Sequence, residues 1–353
     1  MLKDSKLNAN KIYFEDAPYP LSFIIDVNHK CNYHCKLCLR NFMNDKESQK
    51  DFEYFKSVVD RLPFAREISI GALGEPFLIQ DFDKMLKYLW IKKIHPTFTT
   101  NGSLMTEDKF VFIPYNTTVF VSMEGATQEI YEKNRDGDVE LVKNNIRALR
   151  AKRPDISVVI NCMLLRTNIF YLNDMIDFCK EVGVALSLFK PIFFSKELAN
   201  KFSIFTTGIT GRDALQNSLA YAQEQKVPIS FLSMSMNAHL CHRAFSQPII
   251  AYGGDVFACD YAFQNPNYTN PETEGEWTSY NYEFDVKVPQ YEYFVGNILK
   301  SKWETIWNSK KYRHIRKTLM QIQQDDKLKF ENREFKEIHD HCKSCFSLWG
   351  RCL

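Results

Sequence analysis

This 353-residue chain contains no uninterrupted apolar run of the ~18 residues that a membrane-spanning helix needs. Its opening stretch, MLKDSKLNANKIYFEDAPYP, also lacks the apolar centre of a secretory signal. Both absences point to a cytoplasmic protein with no membrane partner. Neither sign of charge dominates: 45 Lys and Arg stand against 43 Asp and Glu, a net charge of +2. No overall field draws in nucleic acid or an anionic surface, so a small or neutral partner is expected. Internal repeats and low-complexity blocks are missing too, which argues against a solenoid or an array.

What the chain does have is ten cysteines. Without an export signal these point to metal or redox chemistry rather than to a disulfide framework, because cytosolic thiols are kept reduced. Three cluster near the start and five lie from Cys241 onward, while Cys162 and Cys179 stand alone in apolar surroundings and read as core residues. The length suits a large domain of about 200 residues plus a smaller one.

Between residues 20 and 235, short β-branched or aromatic runs alternate with helical patterns, the rhythm of βα units around a parallel sheet. Strands are predicted at Ser22 to Val27, Glu67 to Ala72, Thr97 to Thr100, Thr118 to Met123, Ser157 to Met163 and Ala185 to Phe189. Helices are predicted between them at Asp51 to Leu62, Asp81 to Ile91, Val139 to Lys152 and Leu172 to Val182, the last closed by Gly183. The fold class is therefore α/β, a partial (β/α)6 TIM-like barrel followed by a small C-terminal domain. The pattern breaks over Phe193 to Thr210, resumes with a helix at Arg212 to Gln225 and a strand at Val227 to Leu232, and then gives way to a domain boundary near residue 236. That leaves an N-terminal extension (1–20), a barrel (21–235) and a C-terminal domain (236–353). Gln264 to Gln290 has no apolar periodicity and reads as a long loop, with or without a hairpin, and Ser301 to Gln323 reads as helix with Trp303, Ile306 and Trp307 on one face.

Cys31, Cys35 and Cys38 form a Cys-x3-Cys-x2-Cys run just after the first predicted strand. Four thiolates fully ligate a four-iron cluster, so three leave one iron open to a ligand that is not protein. Zinc or plain buried thiols are the alternatives for this trio taken alone. The spacing resembles the cluster motif of the radical S-adenosylmethionine (SAM) superfamily, and further motifs follow other predicted strands, where a parallel barrel builds its site. Gly74-Glu75-Pro76 is similar to the superfamily's Gly-Glu-Pro segment, which receives the SAM ammonium group. Thr99-Thr100-Asn101-Gly102 is similar to its Thr-Asn-Gly. Ser122-Met123-Glu124-Gly125, with Arg135 further on, looks like the segment whose serine and acid face the ribose and whose arginine faces the SAM carboxylate; a guanidinium suits a carboxylate. Two departures stand out: Glu124 replaces an aspartate, and Leu37 stands where an aromatic residue commonly precedes the third cysteine, leaving its backbone to meet the adenine.

Cys241 and Cys259, then Cys342 and Cys345 as a Cys-x2-Cys pair, resemble the SPASM and twitch extensions of this superfamily, which carry auxiliary four-iron clusters. Phe294 to Ile298 and Trp303 to Arg316 resemble the segment between the cysteine pairs. A structural zinc site of four cysteines is the other reading of the spacing. Only Cys352 follows Cys345, so one auxiliary [4Fe-4S] cluster is expected, with Cys352 as a spare or substitute ligand. Asp260, next to Cys259, matches an acid that takes a substrate proton in anaerobic sulfatase-maturing enzymes. The shortage of cysteines argues against that maturase activity itself.

The resemblance implies a SAM-binding [4Fe-4S] cluster, SAM, a flavodoxin- or ferredoxin-type electron donor, and a 5′-deoxyadenosyl radical that removes hydrogen from an unactivated carbon. With an auxiliary cluster as electron acceptor the net reaction is a two-electron oxidation. Few residues precede the first strand, which favours a sugar, aminocyclitol or other small metabolite over a peptide; the Tyr-rich stretch Tyr268 to Tyr293 is the docking loop of the peptide alternative. Methyl transfer stays open. The alternative of another class is a noncatalytic iron-sulfur or zinc-binding protein, which has no use for a SAM pocket.

Overall fold

The computed structural model describes residues 17–71, 73–231, 243–259, 276–279 and 286–324. Seven parallel strands run in chain order: β1 (Ser22–Ile25), β2 (Glu67–Ile70), β3 (His95–Thr100), β4 (Thr118–Ser122), β5 (Ser157–Met163), β6 (Ala185–Phe189) and β7 (Ile229–Phe231). On the other side of β1 the sheet continues through β8 (Ile249–Ile250), β9 (Asp255–Phe257) and β12 (Phe294–Asn297), making ten strands in an open sheet. A separate hairpin pairs β10 (Glu276–Ser279) with β11 (Val286–Pro289) inside the predicted long loop.

Period-two alternation decides what each strand offers to either face. Phe23, Ile25, Ile68, Ile70, Phe98, Val121 and Ile160 are buried and join helix residues Phe55, Leu86, Ile146 and Met175 in one apolar core. The intervening residues Ile24, Ser69, Thr99, Ser122 and Met163 line a cavity of about 430 Å³. The helices form where predicted because their ends are chemically marked. The Asp51 carboxylate accepts from the Tyr54 N–H at 2.9 Å, the Asp138 carboxylate from the Glu140 N–H at 2.8 Å, and Gly183 closes Leu172–Val182 in the left-handed region at φ 66°.

Two details differ from the sequence reading. Phe193 to Thr210 is not a break: it holds the helix Lys196–Phe202, capped by the Ser195 hydroxyl at 3.2 Å from the Leu198 N–H, and the 3-10 turn Ile204–Thr207. The terminal helix is two helices, Trp303–Trp307 and Lys310–Gln324, because Ser309 accepts from the Tyr312 N–H and starts the second one. Beyond β7 the chain returns to the main sheet: β8 pairs in parallel with β1, Ile24 opposite Ile249 and Ile25 opposite Ile250. Residue 236, the expected boundary, lies outside the described residues.

Candidate active site

The cavity opens where β1 to β5 end, and its wall brings together Cys31, Cys35, Cys38, Leu37, Gly74, Glu75, Asn101, Ser122, Glu124 and Arg135. These residues span more than a hundred positions in sequence and come from four successive strand ends. All three thiols are half-buried. They rim the cavity rather than meeting at a point, and among the described residues no three His, Cys, Asp or Glu side chains converge as a single metal ion would need. Thiolates spread around a cavity suit a cluster with several irons.

The turn after β2 is fixed by close backbone contact. Gly74 N–H donates to the Asn28 carbonyl and Glu75 N–H to the Lys30 carbonyl, both at 2.8 Å, which ties this turn to the loop that leads into Cys31. A Cβ on Gly74 would stand 2.5 Å from the Lys30 oxygen and 2.7 Å from the Asn28 oxygen, so only glycine fits. Pro76 begins a short 3-10 turn and is buried. The Glu75 carboxylate points inward. It accepts from the Thr100 hydroxyl at 2.7 Å, the Asn101 N–H at 2.8 Å and the Phe77 N–H at 3.2 Å. Burial pushes its pKa above the usual carboxylate range, against the pull of these hydrogen bonds. Glu75 thus welds the end of β3 to the turn after β2.

Asn101 reaches the cysteine loop. Its side-chain oxygen accepts from the Ser103 N–H at 2.9 Å and the Ser103 hydroxyl at 2.7 Å, which leaves its amide nitrogen to donate to Asn32 Oδ1 at 2.9 Å and to Cys31 Sγ at 3.8 Å. The Tyr33 N–H lies 3.5 Å from the same sulfur. Gly102 follows at φ 79°, a turn conformation that a side chain would strain.

Beyond β4, Arg135 Nη1 and Glu124 Oε2 form an ion pair at 2.8 Å, with side chains 12% and 1% exposed. Glu124 Oε1 and Arg135 Nε have no partner among the described residues. Burial works against the charged guanidinium, but the adjacent Glu124 carboxylate, together with Cys35 and Tyr131, outweighs it and holds the Arg135 pKa well above the ordinary arginine value. Leu37 packs its side chain into a small apolar cluster with Leu165, Phe193, Ala199 and Phe202, which anchors the middle of the cysteine loop.

Against this geometry, the family model described as radical SAM superfamily matches residues 25–179, and the one described as iron-sulfur cluster-binding domain matches residues 241–346. The chain belongs to the radical SAM superfamily. As its two domains imply, this radical SAM enzyme uses a SAM-binding [4Fe-4S] cluster, SAM and auxiliary iron-sulfur chemistry. Among curated proteins it is similar to the probable GTP 3′,8-cyclase of Methanocaldococcus jannaschii, 26% identical over 240 residues that cover 62% of this chain and 78% of the relative. Among solved structures it is similar to SuiB of Streptococcus suis bound to S-adenosylmethionine, with a TM-score of 0.64, 15% identity, and 89% of this chain and 72% of SuiB covered. It is also similar to anSMEcpe with bound AdoMet and Cp18Cys peptide, with a TM-score of 0.61, 19% identity, and 94% and 88% covered.

Of the other site residues read from the sequence of this radical SAM chain, Cys259 is half-buried just after β9, while Asp260, Cys241, Cys342, Cys345 and Cys352 lie outside the described residues. Cys162 and Cys179 are fully buried, and burial pushes the Cys179 thiol up to about 12, as inert core thiols should be. Sequence reasoning missed Arg40 and Arg243. Arg243 contributes to the cavity wall from beyond β7. Arg40 is buried directly behind the cysteine loop and binds only backbone oxygens there, a role with no motif to reveal it. No helix among the described residues is long and apolar enough to cross a membrane.

Proposed function

We propose that this radical SAM enzyme abstracts hydrogen from a small metabolite, a sugar or aminocyclitol in class, in a net two-electron oxidation. One observation carries the reading: three cysteines and residues of three further motifs line a single cavity at the strand ends. Cys31, Cys35 and Cys38 would hold a four-iron cluster, and the chemistry it would supply there is the one-electron reductive cleavage of SAM.

The chain's own residues bind and orient. Arg135 takes the SAM carboxylate with its unpaired guanidinium edge, while Glu124, held by Arg135 through Oε2, offers Oε1 to a ribose hydroxyl alongside Ser122. Gly74, Glu75 and Pro76 receive the ammonium end, Asn101 fixes the loop beside Cys31, and the Leu37 backbone meets the adenine. Apolar walls from Ile24, Met163 and Ile249 exclude water from the reacting carbon. Cys241, Cys259, Cys342 and Cys345 would hold one auxiliary cluster, with Cys352 as a spare ligand, and that cluster supplies an electron acceptor. Asp260 takes the substrate proton, and a flavodoxin- or ferredoxin-type protein is the electron donor.

The test is anaerobic reconstitution, iron and sulfide analysis, then reduction in the presence of SAM with assay for 5′-deoxyadenosine. About eight irons per chain and 5′-deoxyadenosine formation are expected, with formation lost in Arg135→Ala and Ser122→Ala. SAM cleavage surviving in both variants would overturn the pocket assignment. Deuterium transfer into 5′-deoxyadenosine from labelled polyols supports the substrate class; transfer from a labelled peptide instead would replace it.

A further inference from the structure

Arg40 lies two residues beyond Cys38, with a side chain only 5% exposed. Its guanidinium donates three hydrogen bonds, all to main-chain carbonyls. Nε bonds to His29, Nη1 to Tyr33 at 3.3 Å, and Nη2 to Lys46 at 3.0 Å. His29 and Tyr33 bracket Cys31, so one side chain at the end of the cysteine loop grips the backbone on both sides of its first cysteine. A planar fork with several fixed donors can do this, and an ammonium cannot.

The charge of Arg40 is poorly matched by its surroundings. Among the described residues its carboxylate neighbour is Glu47, 3.9 Å away and with a side chain 71% exposed. A buried cation costs free energy unless negative charge compensates it, and carbonyl dipoles do so only in part. From a buried side chain two residues past Cys38, the guanidinium donates to the carbonyls on both sides of Cys31, so its charge is fixed beside the loop that carries the three thiols. Three thiolates around an iron-sulfur core give a net negative group, and reduction adds one more negative charge. A fixed neighbouring cation stabilises the reduced form more than the oxidised form, which raises the reduction potential.

We propose that Arg40 is a positioning residue of the SAM-binding cluster: its buried guanidinium ties the backbone on either side of Cys31 to the turn after Cys38, and its fixed charge holds the cluster's reduction potential up. The inference rests on the reading of Cys31, Cys35 and Cys38 as cluster ligands. It separates two contributions that one residue makes, geometry through the fork and potential through the charge.

The experiment compares wild type, Arg40→Lys and Arg40→Met as full-length, anaerobically reconstituted proteins. Two quantities are read: iron release to a chelator, and the midpoint potential of the cluster whose electron paramagnetic resonance signal changes on adding SAM. Both variants should release that cluster's iron faster, by roughly ten-fold or more, as loss of an outer-shell partner does at metal sites. Arg40→Met should also shift the potential to more negative values, while Arg40→Lys keeps it near wild type. A merely structural role would move the two variants' potentials together, so equal shifts, or no shift in Arg40→Met, would overturn the electrostatic part. Wild-type iron retention in both variants would overturn the clamp. Should Arg40→Met take up no iron, Arg40→Gln replaces it as the neutral variant, with the same shift expected and the same outcomes decisive. Failure of the ligand reading looks different: wild type itself then shows no SAM-sensitive signal.

Discussion

Glu124 and Arg135 set the charge of the cavity wall as a pair, and neither is at rest alone. Removing the carboxylate in Glu124→Ala leaves a buried guanidinium uncompensated, at a cost of about 3–5 kcal/mol; removing both in Glu124→Ala/Arg135→Ala takes away the charge along with its partner and should cost less than the sum of the single variants. Urea unfolding of the four proteins in this cycle measures the coupling, and strict additivity would mean that the pair is not coupled in solution. Glu124→Asp, which restores the residue usual in the family, shortens the side chain by one methylene and should keep part of the coupling. The sequence alone showed that Glu124 departs from the family's aspartate, but not that its second oxygen would be left bare. That follows from Arg135 reaching back eleven positions to take one oxygen and not the other.

Helices and strands were legible wherever the local signal was chemical rather than relational. Asp138 and Gly183 mark helix ends because a carboxylate can accept from free N–H groups and glycine enters the left-handed region without strain. The strands β1 to β6 were legible as short β-branched or aromatic runs set between helical patterns. The two-residue strand Ile249–Ile250 was not: too short for a period, it is a strand only because β1 offers it an edge. The Cys-x3-Cys-x2-Cys spacing drew attention to its loop for a similar chemical reason, whereas Arg40 stayed hidden because its hydrogen-bond partners are carbonyls that every residue possesses. At this scale Asp60 offers a test with a sign. It ends the helix Phe52–Val59 and binds Lys92 and Tyr88 from the neighbouring helix Phe82–Ile91 and its end, together with Lys56. The Lys92 and Tyr88 hydrogen bonds, and then Lys56, hold its carboxyl well below the usual carboxylate range despite some desolvation. A depressed folded-state pKa stabilises the fold fully above the unfolded value, about 3.9, and progressively less as pH falls toward the folded value. Asp60→Asn should therefore lower stability at pH 7 by about 0.5 kcal/mol, the scale of exposed ion pairs, and the difference should close as the pH is brought from 5 to 2. Melting temperatures of both proteins across that range check it; a constant difference would point to a cause other than titration.

At the scale of the whole molecule, the cysteine loop and the strands from β8 onward share β1. That strand leads into Asp26 and the cysteine loop, pairs with β2 on one side and β8 on the other, and carries Phe23 on its core face. Against Phe23 packs Trp303, 5.0 Å between ring centroids and edge-on, which in turn stacks with Trp307 at 5.8 Å; the Trp307 indole N–H donates to the Ala17 carbonyl at 2.9 Å. Both tryptophans are buried, so the helix Trp303–Trp307 is part of the core that holds β1 in place. Trp303→Ala empties a large space at that junction and should cost about 3–5 kcal/mol. Because the cavity wall is built on the same strand, the damage should not stay local. Thermal unfolding of wild type should be one cooperative transition, and Trp303→Ala should lower its midpoint without splitting it, with iron retention by the Cys31, Cys35 and Cys38 loop falling in step. A variant that melts in two steps, losing C-terminal structure first while the cluster loop keeps its iron, would show that β1 does not couple the two regions and that the continuous sheet joins parts able to unfold on their own.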